Sequence, residues 1–372
     1  MSTMQYEFEN SNFMGGREKV LRMKIAHFVN KENAYKNFDE QVHERILGQK
    51  NLSEITYNVF MWLRGLAENC AIRNNAMIVA PSGCGKTETY RVIKEILHKE
   101  ISDIPVLQLD ATKLTSEGFK GMDTKDFLGQ LFTDSVNGIA IVVLDEIDKR
   151  LLPDYSSKGQ NVNASIQAQL LTLIEGTEFT SEIDGETYTI NTSNTLFVAA
   201  GAFQQIRDKR KEEREQNSKE ISPIGFCMNQ KQGRENEKHE DDDITLAEII
   251  ENGAMYEFVG RFATVINLHM LDKKAVEIII GRYAREFGKM LKCQICISET
   301  VAEELYEKYL TSGMGCRILR NALWNRISPI GMEIERNNYA NKGDEIKIIC
   351  DTRGDVYTVN KKVFKVKKEN VA

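Results

Sequence analysis

A glycine-rich segment near residue 80 has the residue types and spacing of a phosphate-binding loop. It reads Ala80-Pro-Ser-Gly-Cys-Gly-Lys-Thr87 and lies between a short apolar run and an amphipathic stretch. Glycines let consecutive backbone N–H groups point at phosphate oxygens, and the start of the following helix adds partial positive charge. Lys86 is expected to reach the β- and γ-phosphates, and Thr87 to place its hydroxyl on Mg²⁺. The segment therefore predicts a site for ATP and Mg²⁺, with these nucleotide-binding residues: Pro81, Ser82, Gly83, Cys84, Gly85, Lys86, Thr87 and Glu88.

Two adjacent carboxylates, Asp145 and Glu146, follow a buried-strand pattern further along the chain. The apolar run Ile139–Leu144 ends directly at them. In open parallel sheets, ligands gather at the carboxyl ends of the strands. Asp145 is expected to hold Mg²⁺, and Glu146 to act as the general base for an attacking water. The competing interpretation is an acidic strand end that only caps the next helix.

Short apolar runs alternate with amphipathic stretches over residues 41–271. This alternation is typical of the α/β class, in which helices cover both faces of a parallel sheet. The predicted strands are Ala76–Val79, Val106–Leu109, Ile139–Leu144, Thr195–Ala199 and Thr264–Leu268, and the predicted helices include Ser53–Leu66, Thr87–His98, Thr124–Ser135 and Ala164–Ile174.

The pattern changes at both ends of this large domain and at two insertions within it. Residues 1–40 show no clear periodicity and are expected to form a poorly ordered lead-in. Residues 272–372 are expected to form a small, mostly helical domain with a short C-terminal sheet. Within the large domain, Thr177–Thr192 has the alternation and the Asp-Gly turn signal of a β-hairpin. The densely charged residues 208–243 are expected to form an exposed loop.

Composition narrows the classes of function. The formal net charge is −6, and a protein that binds nucleic acid usually has a basic excess. No apolar stretch has the length of a membrane span, and the N-terminus lacks a secretory pattern. We therefore expect a cytoplasmic protein without a nucleic-acid or membrane partner. The seven cysteines are an odd number scattered over the chain, which favours reduced thiols.

Further motifs resemble the ClpX branch of the AAA+ unfoldases, from about Ile46 to the last predicted strands. The strand and acidic pair continue as Leu144-Asp-Glu-Ile-Asp-Lys149, and Leu170-Leu-Thr-Leu-Ile-Glu-Gly176 resembles the helix that follows in that family. Phe197-Val-Ala-Ala-Gly-Ala-Phe203 is similar to the family's fourth strand. The resemblance implies an AAA+ ATPase domain followed by a small helical lid domain. It also implies that Ile46 and Leu47 contact the adenine.

The resemblance assigns two arginines to catalysis. Arg261, in Val259-Gly-Arg, occupies the arginine-finger position, which reaches the γ-phosphate bound by a neighbouring subunit. Arg317, in Gly315-Cys-Arg, occupies the second-sensor position of the small domain. The loose transition state of phosphoryl transfer needs such positive charge. A finger that acts between subunits implies a ring, which in this family is a homohexamer.

The resemblance also implies two loops that contact other proteins. One resembles the family's substrate-gripping pore loop, with Gly118, Phe119, Lys120 and Gly121 as its residues. The family usually has an apolar residue where Lys120 stands. The other loop resembles the segment that docks on a ClpP-type peptidase, with Ile224, Gly225 and Phe226 as its residues. The family's N-terminal zinc-binding domain is not expected here, because no cysteine precedes Cys70.

Four functions follow from these motifs as alternatives. The leading hypothesis is a ring-shaped, ATP-dependent unfoldase and translocase that takes unfolded or tagged proteins and delivers them to a ClpP-type peptidase. The second is a stand-alone chaperone or remodeller without a peptidase partner. The third is a nucleic-acid-handling ATPase, which the net charge disfavours. The fourth is a scaffold that binds nucleotide without hydrolysing it, which Glu146 and Arg261 disfavour.

Overall fold

The computed structural model describes residues 3–70, 74–114, 129, 131–176, 178–183, 186–220, 243–339 and 344–365. Two compact units make up the fold. The first comprises Met1–Pro81 and Lys86–His269, and the second comprises Ser82–Gly85 and Met270–Ala372. Within the described residues, no helix is long and apolar enough to cross a lipid bilayer.

A five-stranded parallel sheet forms the centre of the first unit. Its order is β2-β3-β6-β1-β7, and every pairing in it is parallel. The predicted parallel α/β architecture is therefore confirmed. Near-continuous burial along β1, β3 and β6 explains why their sequences are apolar without alternation. The strands are β1 (Ala76–Val79), β2 (Val106–Asp110), β3 (Ile141–Asp145), β6 (Leu196–Gly201) and β7 (Thr264–Asn267).

Helices of the first unit connect and cover these strands. The helix predicted at Thr87–His98, after the phosphate-loop sequence, is present, and so is the helix predicted at Ala164–Ile174, after the acidic pair. The helices are α1 (Thr3–Val29), α2 (Ala34–His43), α3 (Leu52–Ala67), α4 (Lys86–Glu100), α5 (Asp148–Leu151), α6 (Val162–Ile174), α7 (Gln204–Glu220), α8 (Leu246–Glu251) and α9 (Tyr256–Val259). Of the predicted helix Thr124–Ser135, residues 129 and 131–135 are described, and all of these except Ser135 are helical.

The expectation of a poorly ordered lead-in is wrong for residues 16–40, which belong to α1, to α2 and to the turn of residues 30–33 between them. Leu21, Ile25 and Phe28 are buried, and their spacing places them on one helical face. Arg22 anchors the same helix, because its guanidinium donates to the carbonyl of Leu66 at 2.7 Å. The many polar residues between these positions hide the periodicity in the sequence.

The two insertions have different outcomes. The hairpin is confirmed, since β4 (Glu178–Ile183) pairs antiparallel with β5 (Glu186–Asn191). The exposed-loop expectation is wrong for residues 208–220, which continue α7. Lys, Arg, Glu and Gln are strong helix formers, so a charged segment can form a solvated helix. Residues 221–242 lie outside the described part of the chain.

Within its described residues, the second unit combines three helices with a small sheet, as predicted. The sheet order is β11-β10-β9-β8, in which β8 pairs parallel with β9 and the other pairings are antiparallel. Tyr309 is fully buried, and its hydroxyl accepts the backbone N–H of Leu271 at 2.7 Å. The elements are α10 (Lys273–Met290), α11 (Glu299–Ser312), α12 (Cys316–Arg336), β8 (Gln294–Ile297), β9 (Ile346–Cys350), β10 (Val356–Val359) and β11 (Lys362–Lys365).

Candidate nucleotide site

Thr87 and Asp145 come together at the carboxyl ends of the parallel strands. The Thr87 hydroxyl donates to Asp145 Oδ2 at 3.0 Å. Gln108 on β2 donates to the same oxygen at 2.7 Å through its Nε2. Asp110 and Asp145 are register partners, so β2 and β3 end at the same edge of the sheet. Hydroxyl and carboxylate oxygens are ligands that Mg²⁺ prefers, and this pair therefore fits the predicted cation.

Lys86 is the first residue of α4 and lies against the loop that precedes it. Its ammonium donates to the carbonyl of Ala80 at 2.7 Å and to that of Pro81 at 3.3 Å. Ala80 is fully buried and extends the pairing of β1, because its N–H donates to Gly201 O at 3.1 Å. A phosphate bound at the start of α4 would meet both this ammonium and the positive end of the helix dipole.

Glu146 begins the turn that leaves β3 and has an uncommon backbone conformation. Its φ is 54°, in the left-handed region that few residues other than glycine adopt. The turn is fixed by hydrogen bonds: Glu146 N–H donates to Asp145 Oδ1 at 2.9 Å, and Ile147 N–H donates to Ala200 O at 3.0 Å. The Glu146 side chain is exposed, so water can reach its carboxylate.

The neighbouring strand β6 ends where Asp148 approaches it closely. Asp148 is 6% exposed, and its Oδ2 accepts the backbone N–H of Phe203 at 3.2 Å. A Cβ atom at Gly201 would lie 2.7 Å from Asp148 Oδ1, so glycine is required there. This contact explains the glycine in the motif Phe197–Phe203.

Arg261 is held from two sides within its own chain. Its guanidinium forms an ion pair with Glu175 at 3.0 Å, and the two side chains are 44% and 39% exposed. Its backbone carbonyl accepts from Asn75 Nδ2 at 3.3 Å, while Asn75 Oδ1 accepts the N–H of Phe197 at 3.0 Å. Asn75 is 3% exposed, so its polar side chain is buried and bonded on both atoms. The arrangement fixes the backbone of Arg261 against β6.

Ile46 and Leu47 follow α2 in a segment that Gln49 fixes. Ile46 is buried and Leu47 is half-buried. Gln49 Nε2 donates to the carbonyl of His269 at 2.8 Å, and its Oε1 accepts the N–H of His269 at 3.0 Å. This paired contact ties the predicted adenine-contacting segment to the residues after β7.

Within the second unit, Ser82–Gly85 packs against the turn before α12. Gly83 O accepts the backbone N–H of Cys316 at 3.2 Å. Gly83 has a φ of +73°, and a Cβ there would lie 2.5 Å from Met314 O, so no larger residue fits. Cys84 is 2% exposed, and its Sγ lies 3.7 Å from the sulfur of Met270. Arg317 is exposed in the first turn of α12.

The remaining predicted site residues have simpler placements. Glu88 is exposed in the first turn of α4 and forms an ion pair with Arg91. The predicted pore loop, Gly118–Gly121, and the predicted peptidase-docking residues, Ile224–Phe226, lie outside the described residues. In the described part, no cluster of three or more His, Cys, Asp or Glu side chains forms a ready metal centre.

Three polar residues of this region were missed by sequence reasoning: Gln108, Asn75 and Glu175. Gln108 is a polar residue within a strand pattern, and Asn75 directly precedes a buried strand. Glu175 lies within the motif Leu170–Gly176, but its sequence position alone does not identify Arg261 as its partner. Only the fold brings these side chains to Arg261 and to Asp145.

The parallel sheet and the residues at its carboxyl edge define a nucleotide-binding AAA domain. The model of the family "AAA domain (Cdc48 subfamily)" matches residues 73–265, which is more than half of the chain, and the chain belongs to this family.

The chain is also similar to two ClpX-type proteins. The chain is 25% identical over 323 residues to the ATP-dependent clpX-like chaperone, mitochondrial, of Saccharomyces cerevisiae, which covers 72% of this chain and 61% of the relative. It is 26% identical over 289 residues to the ATP-dependent Clp protease ATP-binding subunit ClpX 2 of Wolinella succinogenes, covering 70% of this chain and 66% of the relative. The chain therefore spans less than two thirds of the length of each of these relatives.

Proposed function

We propose that this protein is an ATPase that unfolds and translocates proteins as a ring-shaped homohexamer. The contact between the Thr87 hydroxyl and Asp145 Oδ2, at 3.0 Å, carries the proposal. It brings the helix start after the phosphate loop to the end of the strand that bears the acidic pair. Membership of the AAA family supports the same reading of these two motifs.

ATP and Mg²⁺ would be held by residues on both sides of this contact. The loop Pro81–Gly85 and Lys86 would bind the phosphates, and Glu88 lies in the first turn of α4. Thr87 and Asp145 would supply the protein oxygens to Mg²⁺, which neutralises charge on the β- and γ-phosphates when bound. Ile46 and Leu47 would contact the adenine.

Hydrolysis needs a base for water and positive charge on the transferred phosphoryl group. Glu146 lies next to Asp145 and is exposed, so it is suited to orient the water and accept its proton. Arg261 of a neighbouring subunit would stabilise the transition state, which for arginine fingers is worth about 10³–10⁵ in rate. Arg317 would act as the second sensor.

Mechanical work on protein substrates is the second part of the proposal. By the resemblance, Gly118–Gly121 would grip an extended polypeptide, with Phe119 as the aromatic contact. Ile224, Gly225 and Phe226 would dock a ClpP-type peptidase that degrades the unfolded chain. The name of the Wolinella relative, a Clp protease ATP-binding subunit, favours this partner. The name of the yeast relative, a chaperone, favours the alternative of a stand-alone remodeller.

A degradation assay tests these assignments together. The purified chain is mixed with ATP, Mg²⁺ and an unstable fluorescent protein, with or without a ClpP-type peptidase from the same host. We expect loss of fluorescence that requires ATP, and loss of the protein band only when the peptidase is present. Glu146→Gln should abolish both, whereas Ile224→Asp with Phe226→Asp should abolish only the degradation.

Two outcomes would change the proposed function. Unfolding that is ATP-dependent but gives no degradation would support the stand-alone remodeller. ATP hydrolysis stimulated by DNA, with no effect on the fluorescent protein, would reject the unfoldase proposal.

A further inference from the structure

Gln167 is a buried polar side chain in the middle of α6 that bonds to two other segments. It is 2% exposed. Its Nε2 donates to the carbonyl of Arg150 at 3.0 Å, and its Oε1 accepts the backbone N–H of Met255 at 2.8 Å. A buried amide whose donor and acceptor are both used costs little to bury, while removing it leaves buried partners unsatisfied.

The Met255 contact fixes the short helix that leads to Arg261. Met255 is the N-cap of α9 and makes no side-chain capping bond of its own. Phe258 and Val259 of this helix are buried, and Arg261 N–H donates to Phe258 O at 3.1 Å. The Gln167 oxygen therefore holds the start of a four-residue helix whose other end sets the position of Arg261.

The Arg150 contact leads back to the segment that follows the acidic pair. Arg150 lies in α5, shortly after Asp145 and Glu146. Its guanidinium donates to the carbonyls of Ala111 and Leu114, both at 3.0 Å, and also to that of Thr112. Its Nη1 donates to Asn163 Oδ1 at 3.3 Å, on the first turn of α6.

We propose that Gln167 is a positioning residue for Arg261, tying this arginine to the segment that follows the acidic pair. The proposal rests on the proposed function, in which Arg261 completes the site of a neighbouring subunit. α6 is bonded to α5 through Gln167 in its middle and through Asn163 in its first turn, and Gln167 also bonds the start of α9, which leads to Arg261. Gln167 thereby connects the segment after one subunit's acidic pair to the arginine that would serve the next site.

Mixed rings separate this role from a general effect on folding. Lys86→Ala subunits lack a working nucleotide site but supply Arg261, and Arg261→Ala subunits supply only the nucleotide site. Each is inactive alone, and their mixture regains ATPase activity if Arg261 acts between subunits. Gln167→Met is then added either to the Arg261 donor or to the Arg261→Ala acceptor. Gln169→Met, on the same helix and half-buried, is the matched control.

The variant in the donor is expected to lower the ATPase activity of the mixture by about ten- to a hundredfold, the loss typical of a misplaced catalytic group. The same variant in the acceptor is expected to have a smaller effect, and the control none. Met255→Pro removes the N–H that Gln167 accepts, at a backbone φ of −65° that proline adopts readily. In the donor, Met255→Pro should lower the ATPase activity of the mixture by the same factor as Gln167→Met. The double variant should lose no more activity than either single variant, because both substitutions remove the same hydrogen bond.

The results discriminate cleanly. Equal losses in donor and acceptor, or multiplying losses for Gln167→Met and Met255→Pro, would overturn the positioning role while leaving the proposed function intact. Failure of the parent mixture to regain activity would overturn both. If Gln167→Met does not fold, as judged by its melting temperature, Met255→Pro in the donor gives the same decision.

Discussion

The ion pair between Arg261 and Glu175 leads to a prediction about the rate of ATP hydrolysis. In the isolated chain the guanidinium lies 3.0 Å from Glu175. In a ring, the proposed role of Arg261 requires it to reach a phosphate on the neighbouring subunit. Glu175 therefore competes with the neighbour's nucleotide for the same cation, and Glu175→Gln removes this competition.

The size of the effect follows from the exposure of the pair. The side chains are 44% and 39% exposed, so water screens much of their attraction. Exposed pairs of this kind contribute about 0.2–1 kcal/mol, which corresponds to a change of about 1.4- to 5-fold in the population of released Arg261. We expect the ATPase turnover of Glu175→Gln to rise by this factor at low salt, with little change in melting temperature.

Steady-state ATP hydrolysis by the assembled protein measures this effect, at low salt and again at high salt. The increase should shrink at high salt, because exposed charges are screened over about 3 Å at 1 M. Glu178→Gln, which removes the same charge from an exposed position on β4, is the control. A fall in turnover with Glu175→Gln would refute the reasoning, since it would mean that Glu175 holds Arg261 in its working position.

Three other perturbations test separate parts of the site and fold. Glu146→Gln should lower ATP hydrolysis by about 10²–10⁴, the usual contribution of a general base, while nucleotide affinity measured by calorimetry is retained. Gln108→Met should raise the Mg²⁺ concentration needed for half-maximal ATPase activity, because Asp145 loses an oriented donor at 2.7 Å; an unchanged requirement would contradict this. Hydrogen bonding from Lys308 lowers the pKa of Glu304 below its ordinary value of 4.5. Ionised Glu304 therefore stabilises the fold above pH 4.5, and this contribution is lost as the pH falls through the folded-state pKa. The loss of melting temperature in Glu304→Gln should therefore be largest near neutral pH and disappear in acid.

Local sequence signals were sufficient for the sheet and for the two ends of the nucleotide site. The runs around Met77, Val143 and Val198 are apolar because those strands are buried on both faces, and each is followed by a segment with recognisable chemistry. The glycines before Lys86 form a motif of a few consecutive residues, and so does the acidic pair at the end of β3. Such signals need no knowledge of the tertiary fold.

The partners of Arg261 were not predictable in the same way. Asn75 and Glu175 are distant from it in sequence and are brought to it by the parallel sheet and the end of α6, while Gln167 bonds to Met255 at the start of the helix before it. In the sequence, a buried amide such as Gln167 looks like an ordinary polar position that interrupts the hydrophobic face of a helix. The order of residues 16–40 was missed for a related reason, since the stability of α1 comes from packing against α3 rather than from its own composition.

The backbone at Glu146 has a consequence for how this chain tolerates change. Left-handed conformations disfavour side chains with a Cβ, at a cost of order 1–3 kcal/mol for residues other than glycine. Glycine at this position would relieve that cost, and a variant chosen only for heat resistance would therefore tend to acquire it. Such a protein would keep its fold while losing the carboxylate proposed to activate water, so thermostability and turnover are opposed at this single residue.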